Sequence, residues 1–261
     1  MKRFLTALND RLSGYYILIA ILVIWQIAPS LGWTNPTYIP PPSTILTKSE
    51  VSLLTVATHI LVSFRRVLAG FLVCAAVGLP LAFLLGGAAP KAAAALRALM
   101  QFLSQIPPYI LYPVVALFIG VGERAIIIIV FWSGMWPLLF STIQGIQDID
   151  PSLIRAARAM GARPLFLFFK VVVPGVFPNL TRGVRLGMTN CFLILIGAET
   201  MGGKEGIGWF ISNSSRMAKI NRVYLGAFLV AALGVALNWA MVKLEKNVVK
   251  WKRVPDEDLS V

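Results

Sequence analysis

Few residues in this sequence are of a type and placement that could do chemistry, and the most conspicuous is Glu199. It stands near the end of an apolar run that also carries Asn190. A carboxylate in such a run is costly to hold unless it is paired or wet. It is therefore either a boundary residue satisfied by water or a group that lines a pathway or fixes helix packing. Asn190, and Gln105 in an earlier apolar run, raise the same question: each can hydrogen-bond a ligand or bridge two helices. The adjacent cations Arg65 and Arg66 can attract an anion or carry their heads to a lipid surface. His59 is the only histidine, and Cys74 and Cys191 both lie in apolar sequence. None of these has the spacing of a metal or disulfide site, and no serine–histidine–aspartate set is present. Gly203-Lys204 is followed by Glu205, so the phosphate-cradling loop of nucleotide hydrolases is missing. The residues predict no catalytic group, no metal and no cofactor bound by this chain.

The elements that hold these residues follow from composition. Of the 261 residues 57% are hydrophobic and 13% charged, and the mean hydropathy is +0.77. That balance predicts an all-α polytopic membrane protein. The formal charge of +13 does not point to nucleic acid, because the cations sit between apolar spans and not on a soluble face. Six spans are predicted, at about 15–28, 67–85, 99–119, 125–143, 184–201 and 223–242. The first follows a basic start and reads as a retained span, with no cleavage pattern. Residues 35–43, rich in proline, read as extended chain, and 51–64 as an interfacial helix running into the second span. Gly70 and Gly78 suit close helix packing. Pro107-Pro108 and Pro113 break the third span, which favours lining a cavity over facing lipid. Residues 202–222 read as a polar segment on the outer side. With six spans both termini share a side, and about two-thirds of the 24 Lys and Arg residues fall on it, which makes that side cytoplasmic.

The fourth and fifth spans are joined by the longest stretch that is not itself an apolar run. Asp150-Pro151 starts a helix there, with Asp accepting from free N–H groups and Pro needing none. Leu153, Ile154, Ala157 and Met160 share a stripe, while Arg155 and Arg158 lie off it. Gly161 ends the helix and Pro164 starts another. Ala156-Ala157, Gly161, Val171 and Val173-Pro174 resemble the EAA loop of ABC-importer membrane subunits, in which Glu-Ala-Ala precedes a glycine and an aliphatic–proline pair. Arg155 stands where that family has Glu. Further on, Pro174, Pro178, Gly183-Val184-Arg185, Ala198-Glu199 and Gly206-Ile207-Gly208 resemble the nitrate/sulfonate/taurine branch. Ile39-Pro40-Pro41-Pro42, the run from His59 to Phe71, and Phe118-Ile119-Gly120-Val121-Gly122 do so as well.

The resemblance implies a type I ABC importer fold in a single permease domain over 1–261. Its core would run over 51–245, its cytoplasmic coupling loop over 146–178 and its tail over 246–261. It implies a coupling role for Arg155, Ala156, Ala157, Arg158, Met160, Gly161 and Pro174, and a pathway or gate role for Gln105, Pro108, Asn190 and Glu199. Arg65 and Arg66 would stand at the outer mouth. The implied partners are a second permease copy, two ATP-binding cassette subunits holding ATP and Mg, a solute-binding protein outside, and membrane lipid, with no nucleic acid. The implied activity is ATP-driven import of a small, anionic solute across a bacterial inner membrane. The rival reading is a secondary transporter driven by an ion gradient. It predicts a carboxylate or histidine relay at mid-membrane and inverted repeats, and the sequence offers neither.

Overall fold

The computed structural model describes residues 16–17 and 19–248, and all regular structure among them is helical. Helix α1 covers 19–27, and α2 spans Pro42–Thr47. The long helix α3, Leu53–Phe83, is capped by Ser52, whose side chain accepts from Leu54 N–H, and continues into a π-helical turn at Leu84–Ala88. Then come α4 (Pro90–Ser104), α5 (Pro108–Ile119) and α6 (Glu123–Gln147). Two short helices follow, α7 (Pro151–Ala159) and α8 (Pro164–Leu167), then α9 (Val173–Gly202), α10 (Ile207–Arg216) and α11 (Ile220–Val248).

Four helical stretches are long and apolar enough to cross a membrane: Leu53–Ala88, Glu123–Gln147, Pro164–Gly202 and Ile220–Lys246. A fifth span results if α4 and α5, which meet at 88°, are counted as one broken span. The cause of that break is the Pro107-Pro108 pair. Pro107 is extended, as the residue before a proline must be, and Pro108 opens α5 at a position where no N–H is needed. The first predicted span falls partly on residues outside those described, as does the tail, 246–261. One expectation needs correction. Residues 35–43 are not extended throughout, because α2 starts at Pro42, where proline is tolerated in a first helical turn. The polar segment 202–222 contains a full helix, α10, which buries Ile207, Phe210 and Ser214.

Helix α6 is the centre of the fold. It packs chiefly against α9 and then α3, and its buried residues join two apolar clusters. One gathers Val67, Ile126, Ile129, Val130, Cys191 and Leu195. The other gathers Cys74, Ala82, Leu138, Leu139 and Ile143. Small residues set the α6–α9 spacing. A Cβ at Gly134 would overlap Cys191 Sγ, and one at Gly187 would lie 3.0 Å from Gly134 O. Likewise a Cβ at Gly183 would lie 2.8 Å from Ser141 Cβ. The backbones approach closely because these side chains are absent. Gly70 does the same for α3, where a Cβ would come within 2.5 Å of Val130 Cγ1, whereas Gly78 has room for one. The α11 span is scarcely buried at all. Its N-terminal third meets α1 through Trp25, which stacks on Phe228 at 5.5 Å.

Candidate functional site

Three regions hold the residues that the sequence singles out. The first is the α7–α8 elbow. Asp150 caps α7, its Oδ1 accepting from Ser152 N–H at 2.8 Å. The Ser152 hydroxyl and N–H together hold the Asp150 carboxyl below the usual carboxylate range. Ala157 is buried, and Arg155, Ala156 and Arg158 are exposed. Gly161 has φ +79°, a left-handed turn that reverses the chain between α7 and α8. Of the predicted apolar stripe only Ala157 and Ile154 turn toward the protein. Leu153 is exposed, and Met160 is 81% exposed. Leu165, Phe166 and Phe169, which follow in the chain, are exposed apolar residues as well. Pro174 lies in the first turn of α9 and is exposed. Asp148, which the sequence did not single out, ties the base of the elbow to the core. Its carboxylate accepts from Gln144 Nε2 at 2.7 Å and from Asn179 Nδ2 at 3.1 Å.

The second region is a polar knot at the opposite end of α9. Glu199 is 0% exposed and pairs with Arg66, 6% exposed, at 2.9 Å. The Ser63 hydroxyl lies 2.9 and 3.0 Å from the two carboxylate oxygens, and Gly208 N–H donates to Oε2 at 3.0 Å. Arg66 also donates to Glu205 O, and Ser63 Oγ accepts from Ile207 N–H at 2.9 Å. His59 Nδ1 accepts from Gly206 N–H at 3.2 Å. Three side chains thus accept the free N–H groups of residues 206, 207 and 208 at the start of α10, and one of the three is an anion placed against the positive end of the helix. The Gly206-Ile207-Gly208 pattern has a steric reason. Gly206 has φ +107° and a Cβ there would overlap the Glu199 carboxylate, while a Cβ at Gly208 would overlap Ile196 O. Glu199 is therefore neither wet nor at a free boundary, and Arg66 turns into the protein and not toward an outer mouth. Arg65 remains exposed and pairs with Glu123 at 2.7 Å. The sequence could not show Arg66 and Ser63 as partners of Glu199, because they are distant in the chain.

The third region is a cleft of about 420 Å³ at the α4–α5 break. Pro108 lines it from α5, Trp132, Ser133 and Trp136 from α6, and Asn190 from α9. Gln105 is exposed at the end of α4 and is not part of the lining. A second cleft, of about 480 Å³, continues toward the elbow and is lined by Arg97, Gln101, Gln144 and Gln147. Phe140 lines both. Trp132, Trp136 and Phe140 form one row along α6, with ring centroids 5.2 and 6.0 Å apart. Among the described residues no group of three or more His, Cys, Asp or Glu side chains could hold a metal ion.

Residues 78–250 match the model of the family described as "Binding-protein-dependent transport system inner membrane component". Among curated relatives, the putative aliphatic sulfonates transport permease protein SsuC of Escherichia coli is 30% identical, with 92% of each chain covered. Its namesake in Bacillus subtilis is 28% identical, over 92% of this chain and 88% of the relative. The bicarbonate transport system permease protein CmpB of Synechocystis is 27% identical, over 92% and 89%. A chain of the MetNI methionine ABC transporter, solved in inward-facing conformations, superposes with a TM-score of 0.64 at 20% identity. The match covers 76% of this chain and 97% of that one, and at this identity it speaks for the fold.

Proposed function

The chain belongs to the inner membrane components of binding-protein-dependent transport systems, and on that premise we propose how its three regions share the work of import. It is a multi-pass permease subunit of an ATP-driven ABC importer, a transport subunit and not an enzyme, whose family works with ATPase and solute-binding partners. The proposal assigns the α7–α8 elbow to the ATPase, the paired clefts along α6 to the solute, and the α10 end to the solute-binding protein.

The observation that carries this reading is the form of the elbow. A short capped helix, two alanines and a left-handed glycine present Leu153, Met160, Leu165 and Phe166 outward from a base pinned by Asp148. Exposed apolar side chains on such a base suit a partner surface. Arg155, Ala156, Ala157, Arg158, Met160, Gly161 and Pro174 make up this coupling element, within a loop at 146–178. The elbow and both termini are cytoplasmic, two copies of the chain form one pathway, and two ATPase subunits carrying ATP and Mg sit beneath them. The whole of 1–261 is one permease domain. Binding of ATP brings the two elbows together, and the spans rock from inward-open to outward-open. Such a switch needs ATP and the loaded binding protein to prefer one state.

The solute is a small anion of the sulfonate, taurine, nitrate or bicarbonate kind, a reading supported by relatives named for sulfonates, bicarbonate and taurine. Pro108 and Asn190 line its route. The test is reconstitution of the permease with its ATPase and binding protein in liposomes. Uptake of ethanesulfonate or bicarbonate is expected to require ATP. Uptake that continues at the same rate without ATP, or that is driven by an ion gradient, overturns the reading.

A further inference from the structure

The cleft at the α4–α5 break has an unusual lining for a protein interior. The indole N–H groups of Trp132 and Trp136 are buried and find no hydrogen-bond partner among the described residues. Trp136 as a whole is 7% exposed. Ser133, between them on α6, is 8% exposed, and among the described residues no group pairs with its hydroxyl. Asn190 faces the same cleft from α9, and among the described residues its amide makes no bridge to another helix. The remaining orphans among the described residues do not gather in this way: Trp25 and Thr34 lie near α1, Arg66 Nε in the knot, Tyr112 on α5, and Arg185 and Glu245 face each other at 3.4 Å. Two buried indole donors without partners are costly in a protein interior, and an unpaired hydroxyl and carboxamide line the cleft beside them. They have a use if something passes through that accepts hydrogen bonds.

We propose that this cleft is a transit site for a small oxyanion, gripped by neutral donors. The inference rests on the pathway reading above and adds the chemistry of the site. Indole N–H groups donate and never accept, and hydroxyl and carboxamide groups can donate. No residue of the cleft lining carries a formal charge, so no carboxylate repels an anion or favours a cation. Neutral donors bind weakly enough for passage. Ser133 and Asn190 make the first contacts. The indole N–H groups, sealed in this conformation, gain a partner as the spans shift. Beyond Phe140 the next cleft offers Arg97, which draws the anion onward once the aromatic row parts.

The test uses the whole complex in nanodiscs, titrated with ethanesulfonate and bicarbonate, and with ethyl methyl sulfone as an uncharged counterpart of similar size. Tryptophan fluorescence reports binding, and ATP-driven uptake of the same anions is measured in liposomes. Saturable quenching by at least one anion and none by the sulfone is expected. Binding should weaken about tenfold in Ser133→Ala and Asn190→Leu, as the loss of a hydrogen bond to a charged group implies. Trp136→Phe keeps an aromatic ring while removing the donor together with the second ring, and should weaken it as well. Equal quenching by the sulfone, no response to either anion, or variants that match the wild type in binding and uptake would each overturn the site. Variant-sensitive binding without ATP-driven uptake would keep the site and overturn the import reading.

Discussion

Glu199 and Asn190 lie on the same helix, about two and a half turns apart, and their surroundings are opposite in kind. The Glu199 carboxylate receives Arg66, Ser63 and Gly208, and the neighbouring N–H groups of 206 and 207 go to His59 and Ser63. Asn190, Ser133 and the two α6 indoles receive nothing from the described residues. The first region is closed chemically except for Arg66 Nε. It fixes where α10 begins and how it sits on α3 and α9. The second is held open by the proline break and by a row of rings. A buried polar group with every bond made argues for architecture, and one with none made argues for a visitor.

The contrast can be tested by substitution, and the largest effect belongs to the knot. Arg66→Ala leaves Glu199 buried without its cation and should cost about 3–5 kcal/mol, read as a large drop in unfolding temperature in detergent. The double variant Arg66→Met/Glu199→Leu should be more stable than Arg66→Ala alone. Gly206→Ala places a methyl on the carboxylate at φ +107° and should cost about 1–3 kcal/mol. Proteolysis between α9 and α10 should then be faster. At the elbow, Gly161→Pro cannot adopt φ +79°. It should uncouple ATP hydrolysis from transport while the protein stays in the membrane, and survival of both transport and ATPase stimulation would count against the coupling role. Smallest of all is Arg65→Ala, because its pair with Glu123 is exposed. Its effect should stay within about 1 kcal/mol and fade with salt.

How much of this was legible in the sequence differs region by region. The α7 helix, its Asp150 cap and its Gly161 turn were legible because caps and breakers are local signals. The proline break was legible for the same reason. The patterns around Ala198-Glu199 and Gly206-Ile207-Gly208 were visible, but their reason was not. Arg66 and Ser63 reach Glu199 across most of the chain, and a contact of that range leaves no periodic trace. Arg66 therefore looked like a surface cation beside Arg65, while the fold sends the two in different directions. Helix α10 was hidden because its apolar residues are few and face a knot, and α2 because three prolines masked a legitimate first turn. Gln105 looked equivalent to Asn190 by type, and only the bend at Pro107-Pro108 separates them.

Thiol labelling compares the two regions most directly. Ser133→Cys and Ser63→Cys are placed separately in the complete transporter, where the native Cys74 and Cys191 are both fully buried. A small charged methanethiosulfonate reagent is then applied with and without ATP and the binding protein. The account predicts that Cys at 133 reacts, at a rate that changes with the transport state, and that Cys at 63 stays unreactive throughout. Equal reactivity at the two positions, or labelling at 63 that follows the transport cycle while 133 stays silent, would contradict it.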